Sequence, residues 1–527
     1  MVPRTRRDLL QLIGLSAGSA ALYHAMTALG FAEESSFRGA PEFPGRVANR
    51  SIVILGAGLA GMVAAHELRR VGWQVQLLEY RDRAGGRNWT VRGGDVFTEM
   101  GGATQAAAFD PGLYFNPGPW RIPHHHHAVL HYCRALGVAL EPFIQVNHAA
   151  LLHNPRAFGG RPVPFREVQA DFHGSIAELL AKAVRRQALD EEISGQDKDM
   201  LLAALRNWGA LDADYAYRES LLTARRRGYA KDPGGGVDAA PRPSTPIPRD
   251  ALLQSGLWGV LAVGMLHDFQ MTMVQPVGGM DAIGRAFAAG LGPAIRLGAQ
   301  VQEIRQDADG VAVAWRDRAT GAMQVARADF CLCTIPLSIL GQMEVLQVGN
   351  PMRAAIEALP YDAAAKVGLQ FRRRFWEEDS AIFGGISYTS QAIGQIGYPS
   401  HGMNAGGKGV LLGAYPYGGP SAFALTSLVP AQRMERALEE GSRLHPQYRA
   451  EYECGFAVGW HRVPWTLGCA ASWTDTLRAQ HYAALAAIDG RIALAGEHVS
   501  YLPAWQEGAL LSGIDAAQRL HRRAQGG

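Results

Sequence analysis

Chemistry is first suggested by a glycine string and a carboxylate. Ser51 to Leu55 is a short apolar run, Gly56-Ala57-Gly58-Leu59-Ala60-Gly61 follows at once, and a helical pattern continues from Met62 to Arg70. In that order Gly56 permits a tight turn, Gly58 lets a pyrophosphate approach the backbone, and Gly61 lets the helix lie close on the strand. The free N–H groups and the helix dipole attract phosphate. A second apolar run, Gln74 to Leu78, ends in Glu79, the place for a carboxylate that accepts hydrogen bonds from ribose hydroxyls. Strand, glycine turn, helix, strand and acid together predict dinucleotide binding.

Two other groups invite chemistry and are read more plainly. His124 to His127 with His131 place imidazoles one helical turn apart, but no acidic or cysteine partner has ligand spacing with them, so a polar helix start near the substrate entrance is expected, and no metal. The cysteines Cys133, Cys331, Cys333, Cys454 and Cys469 contain no CxxC, so neither a disulfide scaffold nor a zinc ribbon follows.

The next strings specify the nucleotide. Arg81, Gly85, Gly86 and Arg87 follow the acid, and Thr98-Glu99-Met100-Gly101-Gly102-Ala103 comes after. Here the sequence resembles the flavin-dependent amine oxidases. The resemblance implies that the pair Gly85-Gly86 and its Arg87 lie against the FAD pyrophosphate, that Arg81 also binds the cofactor, and that the turn Gly101-Gly102 with Ala103 passes the isoalloxazine. At the other end, Arg491 to Ala495 reads as a strand, Gly496-Glu497 ends it, and Trp505-Gln506-Glu507-Gly508-Ala509 opens a last helix. The resemblance puts Glu497 on the ribityl chain and the Gly508 and Ala509 backbone near the ring, where a helix N-terminus stabilises the charge of reduction. Gln275 to Asp281 resembles the family's central turn, and Val301 and Cys331 to Pro336 bring the chain back to the FAD domain. Trp460 opens the segment that completes the site. It ends at Cys469, where some monoamine oxidases bond to flavin; the usual following tyrosine is Ala470 here, so noncovalent FAD is expected.

The substrate motifs resemble the L-amino-acid oxidases within that family. Gly118-Pro119-Trp120-Arg121-Ile122-Pro123 is similar to their G-P-x-R-x-P string, whose arginine grips the substrate carboxylate through paired hydrogen bonds. It departs from the usual pattern in that Ala103 to Asn116 intervenes after the glycine pair. The resemblance implies catalytic roles for Arg121, for Lys366 holding a water, for Tyr398 and Trp505 in an aromatic wall with Tyr415 and Tyr417, and for His267 as a base. The implied reaction consumes an L-amino acid and dioxygen and yields a 2-oxo acid, ammonia and hydrogen peroxide. Large apolar side chains fit the aromatic wall, whereas Glu377, Glu378 and Asp379 leave a basic substrate open. A 2-monooxygenase, a primary-amine or polyamine oxidase, and a flavin-binding export or interaction protein without turnover are the rival readings.

These residues need a frame. The chain has 527 residues, beyond the roughly 250 to 300 at which one core stops growing. A net charge of +3 argues against a nucleic-acid partner, and 62 glycines exceed the usual share of roughly 7%. The expected fold is α/β: a Rossmann-like, glutathione-reductase-like FAD-binding domain assembled discontinuously from residues 41–110, 276–345 and 478–527. A mixed-sheet substrate-binding domain is expected from 111–166 and 346–477, and a helical insert from 167–275 with a Pro/Gly-rich loop at 231–249. Thr5-Arg6-Arg7-Asp8-Leu9-Leu10 before a moderately apolar run resembles a twin-arginine signal within residues 1–40, so export to the periplasm is expected, with the cytoplasm as the alternative. No stable membrane span is expected, and a homo-oligomer, a dimer, is.

Overall fold

The computed structural model describes residues 35–47, 49–189 and 193–526. The twin-arginine string lies outside them. Among the described residues no helix is long and apolar enough to cross a membrane.

A six-stranded sheet forms the nucleotide-binding layer, in the order Ile295–Arg296, Gln74–Leu78, Ser51–Leu55, Phe330–Cys333, Ile492–Leu494, Ile488–Asp489. All neighbours are parallel except the last pair. Parallel strands covered on both faces must be apolar throughout, and Ile52 to Leu55 and Phe330 to Cys333 are buried to the last residue. The helices Leu59–Arg70 and Gln506–Gln525 cover one face. They cross closely because Gly513 has no side chain: a Cβ there would lie 2.4 Å from the Ala60 carbonyl.

A seven-stranded mixed sheet runs Val163–Pro164, Leu151–His153, Ile386–Thr389, Gln395–Gly397, Gly409–Ala414, Ala365–Phe371, Tyr452–Gly459. One face packs on the helix Pro430–Gly441 and a core holding Trp376, Tyr398 and Tyr448; the other carries a second core with Phe456 and Trp460. A third, three-stranded sheet is small but decisive for position. Met273–Pro276 pairs with both Ile122–Pro123 and Leu140–Phe143, which brings the residues just before each strand, Arg121 and the 267–269 turn, into one neighbourhood.

The helices Phe165–Arg185, Gly195–Trp208, Leu221–Arg227 and Arg249–Ser255 form the insert. Its buried Arg227 is held by Asp171 at 2.9 Å and Glu167 at 3.2 Å. The segment expected as an irregular loop contains a two-stranded ribbon, Tyr229–Lys231 with Arg242–Pro243. It is tied down where the Ile247 N–H donates to Asp171 at 2.8 Å.

Candidate active site

The glycine turn is built as a phosphate cradle. Gly58 is the N-cap of the Leu59–Arg70 helix with no side chain on its N–H groups, and the first turn has no acid to compete for them. Gly56 has φ +101°, and a Cβ on Gly61 would stand 2.1 Å from the Gly56 carbonyl, so helix and turn meet only with glycine at both places. Glu79 reaches back: its carboxylate accepts from the Ala57 N–H at 2.7 Å and the Arg81 N–H at 2.9 Å. The second glycine string docks on the first, with the Gly85 N–H donating to the Ala57 carbonyl at 2.8 Å.

These groups border a cavity enclosing about 1350 Å³, its mouth included. Gly56, Gly58, Glu79, Arg81, Gly86, Arg87, Val301, Trp460, Gly496, Glu497, Trp505, Ala509 and Lys366 all line it. Arg87 crosses from the first part of the chain to the last, donating to Glu497 at 2.7 Å and to the Cys469 carbonyl at 2.6 Å. Burial alone would lower the Arg87 pKa, but the Glu497 charge and hydrogen bond together with Tyr361 raise it on balance; at Glu497 burial is likewise overcome by Arg87, His498 and the Ala504 N–H acting together, and its carboxyl is lowered. The Glu497 carboxylate also accepts from the Ala504 N–H at 3.1 Å and the Ala471 N–H at 3.3 Å. In the structure it therefore braces the site rather than standing free. Arg81 donates to Thr466 at 2.6 Å, beside Trp465, which stacks on Tyr80 at 4.7 Å and so belongs to the nucleotide end.

Whether a flavin nucleotide fits is tested by what the cavity leaves unmet. Both amide atoms of Asn88 and Nε2 of Gln506 are buried on its lining without a partner, and each unmade bond costs about 1–3 kcal/mol. Together with the bare helix N-terminus, these groups suit a long ligand with phosphates at one end and a polar heterocycle at the other. Cys469 also lines the cavity; burial pushes its thiol up to about 12, so it stays protonated.

Four expectations are corrected here. Gly101, Gly102 and Ala103 do not line the cavity: they form the tip of a hairpin, Val96–Thr98 with Thr104–Ala106, and Gly101 and Gly102 are exposed. Glu99 beneath them is committed to Arg433 at 2.7 Å in a buried pair. The turn that lines the cavity is Pro117-Gly118-Pro119, which sequence reading missed as a cofactor element. A Cβ on Gly118 would lie 1.9 Å from the Arg87 carbonyl, and Trp460 Nε1 donates to the Pro117 carbonyl at 2.9 Å. The residues from Ala103 to Asn116 are thus largely the return of an inserted hairpin, and a glycine at 118 with no room for a side chain was the available signal.

Tyr398 is the second correction. It is buried on the far face of the seven-stranded sheet, bonded to Ser387 at 2.7 Å and His445 at 2.6 Å. Strand alternation is the reason: Gly397 faces the substrate side, where a Cβ would be 2.3 Å from the Trp120 ring, so its neighbour faces away. Tyr415 and Tyr417 do line the cavity. His267 is the third. It is exposed, stacks on His125 at 4.1 Å, and leaves the inward positions of its short turn to Asp268 and Phe269. Gly508 lies off the lining as well, pressed against the Leu502 carbonyl, where a Cβ would be 2.1 Å away.

Beyond the cavity wall, Arg121 is 6% exposed and sandwiched, its guanidinium 4.5 Å from the Phe269 ring and 5.2 Å from Trp120. Its Nε and Nη1 have no hydrogen-bond partner. Nearby, Lys366 donates to the Gly118 carbonyl and sits 4.3 Å over Tyr415. Burial first, and then the Arg121 charge, hold its pKa well below the ordinary lysine value. Glu377, Glu378 and Asp379 face Arg374 and Arg373 instead of the cavity. Around the substrate end, Phe143 packs on Trp120 at 5.3 Å, and His126, also buried, meets Trp505 edge-on at 4.9 Å.

The comparisons agree with this geometry. An L-amino-acid oxidase of Siganus canaliculatus is 28% identical over 488 residues, covering 90% of this chain and 85% of its own. The flavin-dependent L-tryptophan oxidase RebO of Lentzea aerocolonigenes is 28% identical over 505 residues, 90% of this chain and 98% of its own. The solved cyclohexylamine oxidase of Brevibacterium oxydans IH-35A shares the fold, with TM-score 0.59 at 17% identity over 90% of this chain and 99% of that one. Residues 59–521 match the family of flavin containing amine oxidoreductases, and the chain belongs to it as a flavin-dependent α/β oxidoreductase.

Proposed function

We propose that the protein oxidises L-amino acids to 2-oxo acids with release of ammonia and hydrogen peroxide, using noncovalent FAD. The observation that carries this reading is Arg121: a buried guanidinium with two unpaired nitrogens, next to Lys366 and Trp120, calls for an anion it can bind by two hydrogen bonds. A substrate carboxylate supplies one, and a simple amine does not.

With the carboxylate fixed, the residues around it orient the rest. Phe269 and Trp120 both pack against the guanidinium, which limits how far it can swing and so helps to orient the carboxylate. Lys366, buried and held by the Gly118 carbonyl, has its pKa well below the ordinary lysine value and keeps N–H groups that can hold a water beside the substrate. When bound, the flavin supplies a two-electron acceptor and a route for those electrons to dioxygen. The substrate loses a hydride from Cα and a proton from its amine, and water then exchanges the imine nitrogen for oxygen. Tyr415, Trp505 and Phe143 make an apolar surround, and the nearby acids are already paired with arginines, which favours large hydrophobic and aromatic side chains over basic ones. We further propose export through the twin-arginine route, from Arg6 and Arg7 ahead of the apolar run.

Aerobic turnover of L-phenylalanine and L-tryptophan followed by product mass spectrometry tests the reaction. The expected products are the 2-oxo acid, ammonia and equimolar peroxide. A carboxamide one carbon shorter would assign a 2-monooxygenase instead, and turnover of only the corresponding amines would assign an amine oxidase.

A further inference from the structure

We propose that His125, His126 and Asp268 form a binding site for a divalent transition cation of the zinc class, set behind the substrate end of the cavity. One ligand atom from each residue lies within 4.8 Å of the others, and the three side chains are 2%, 1% and 0% exposed. The histidines precede the helix His127–Ala135, whereas the acid comes from the short turn His267–Phe269. The three-stranded sheet brings them together, because Ile122–Pro123 and Met273–Pro276 are paired strands.

The closest pair is already spaced for a shared ion, and His126 would swing in to join it. His125 Nε2 and Asp268 Oδ1 are 3.3 Å apart. Two ligands each about 2.0–2.1 Å from a tetrahedral zinc lie about 3.3–3.4 Å from one another, so this pair needs almost no movement to take the ion. The remaining valences point the same way: Asp268 Oδ2 and His126 Nε2 are buried with no hydrogen-bond partner. Among the described residues Asp268 pairs with no lysine or arginine, so its charge is met only by the neighbouring imidazole. The donor set of two nitrogens and one oxygen is one that zinc accepts, with a position left for water.

The site touches both walls of the substrate end. His126 packs on Trp505 at 4.9 Å, and Phe269, the residue after Asp268, lies under Arg121 at 4.5 Å. An ion there braces the aromatic wall and the arginine platform from behind. The inference stands on the protein alone and holds whichever amine or amino acid is oxidised.

The test uses tag-free, flavin-loaded protein stripped with a chelator and dialysed against zinc chloride, with bound metal measured by mass spectrometry. The wild-type protein is expected to hold about one zinc per chain, with Asp268→Asn and His125→Gln each weakening it about tenfold or more and His124→Gln leaving it unchanged. Thermal unfolding gives a second reading: zinc raises the wild-type midpoint and leaves that of Asp268→Asn in place. His125→Gln alone carries both readings if Asp268→Asn does not fold. Zinc below about one tenth per chain in the wild type, or equal zinc affinity in the wild type and His125→Gln, overturns the proposal.

Discussion

Replacing Arg121 by Met separates binding chemistry from folding. The substitution keeps most of the volume between Phe269 and Trp120 and removes the guanidinium. Two charge-assisted bonds to a substrate carboxylate, each contributing about 1.5–3 kcal/mol, predict a loss of about 3–6 kcal/mol in transition-state binding. That corresponds to a fall of about a hundredfold to ten-thousandfold in kcat/KM for L-phenylalanine. The same change should hardly move stability. Without the cation–π attraction the fold is weaker by about 1 kcal/mol, which is offset by removing a buried charge whose Nε and Nη1 have no partner. A midpoint within about 3 °C of wild type is expected, with flavin content unchanged. The assay is peroxide formation from L-phenylalanine and from 2-phenylethylamine, which lacks the carboxylate; any rate on the amine should change by less than about fivefold. A loss below about tenfold on the amino acid would refute the carboxylate role, as would an equal loss on both compounds.

The other predictions address the corrected residues and pH. Gly118→Ala drives a Cβ to 1.9 Å from the Arg87 carbonyl and should yield protein with most of its flavin lost, whereas Gly102→Ala, strained by its φ of +86° but with nothing within 4 Å of its Cβ and away from the cavity, should keep the flavin at some cost in stability; the protein-to-flavin absorbance ratio checks both. Tyr398→Phe loses bonds to Ser387 and His445, so stability should fall by about 1–3 kcal/mol in urea unfolding while kcat/KM stays within about twofold. His445 and His498 are pushed down to about 4 by burial. Unfolded histidine titrates near 6.5, so between these values the unfolded chain binds protons that the folded chain refuses. Their stabilising share is complete above about pH 6.5 and is lost as pH falls toward 4, by about 2 kcal/mol each at pH 5. His445→Gln should flatten that slope relative to wild type in urea midpoints taken at pH 7.5 and pH 5; an unchanged slope would contradict the assignment.

What could be read in the chain was what lies in consecutive residues. The glycine turn, the helix after it and Glu79 at the end of the next strand are one local unit, and their order alone fixes the parallel strand pair they form. The chain ends were legible for a related reason: Gly496-Glu497 closes a strand that pairs with Phe330–Cys333. Gly101-Gly102 was misplaced because two glycine turns follow one another, and sequence does not say which is the tip of an excursion and which lies against Arg87. Tyr398 was misread by a single position, enough in a strand to turn a side chain to the opposite face. Asp268 could not be connected with His125 at all, since their meeting depends on pairing between strands more than a hundred residues apart.

We propose that this cavity presents a flavin to the Cα of an L-amino acid held by its carboxylate. Anaerobic mixing of the flavin-loaded protein with L- and D-phenylalanine, L-lysine and 2-phenylethylamine tests it in a single turnover, read as loss of the yellow absorbance. Rapid bleaching by L-phenylalanine is expected, with slower bleaching by L-lysine and almost none by the D-enantiomer or the amine. An oxidised spectrum that persists with every L-amino acid, or bleaching by the amine as fast as by L-phenylalanine, would contradict it.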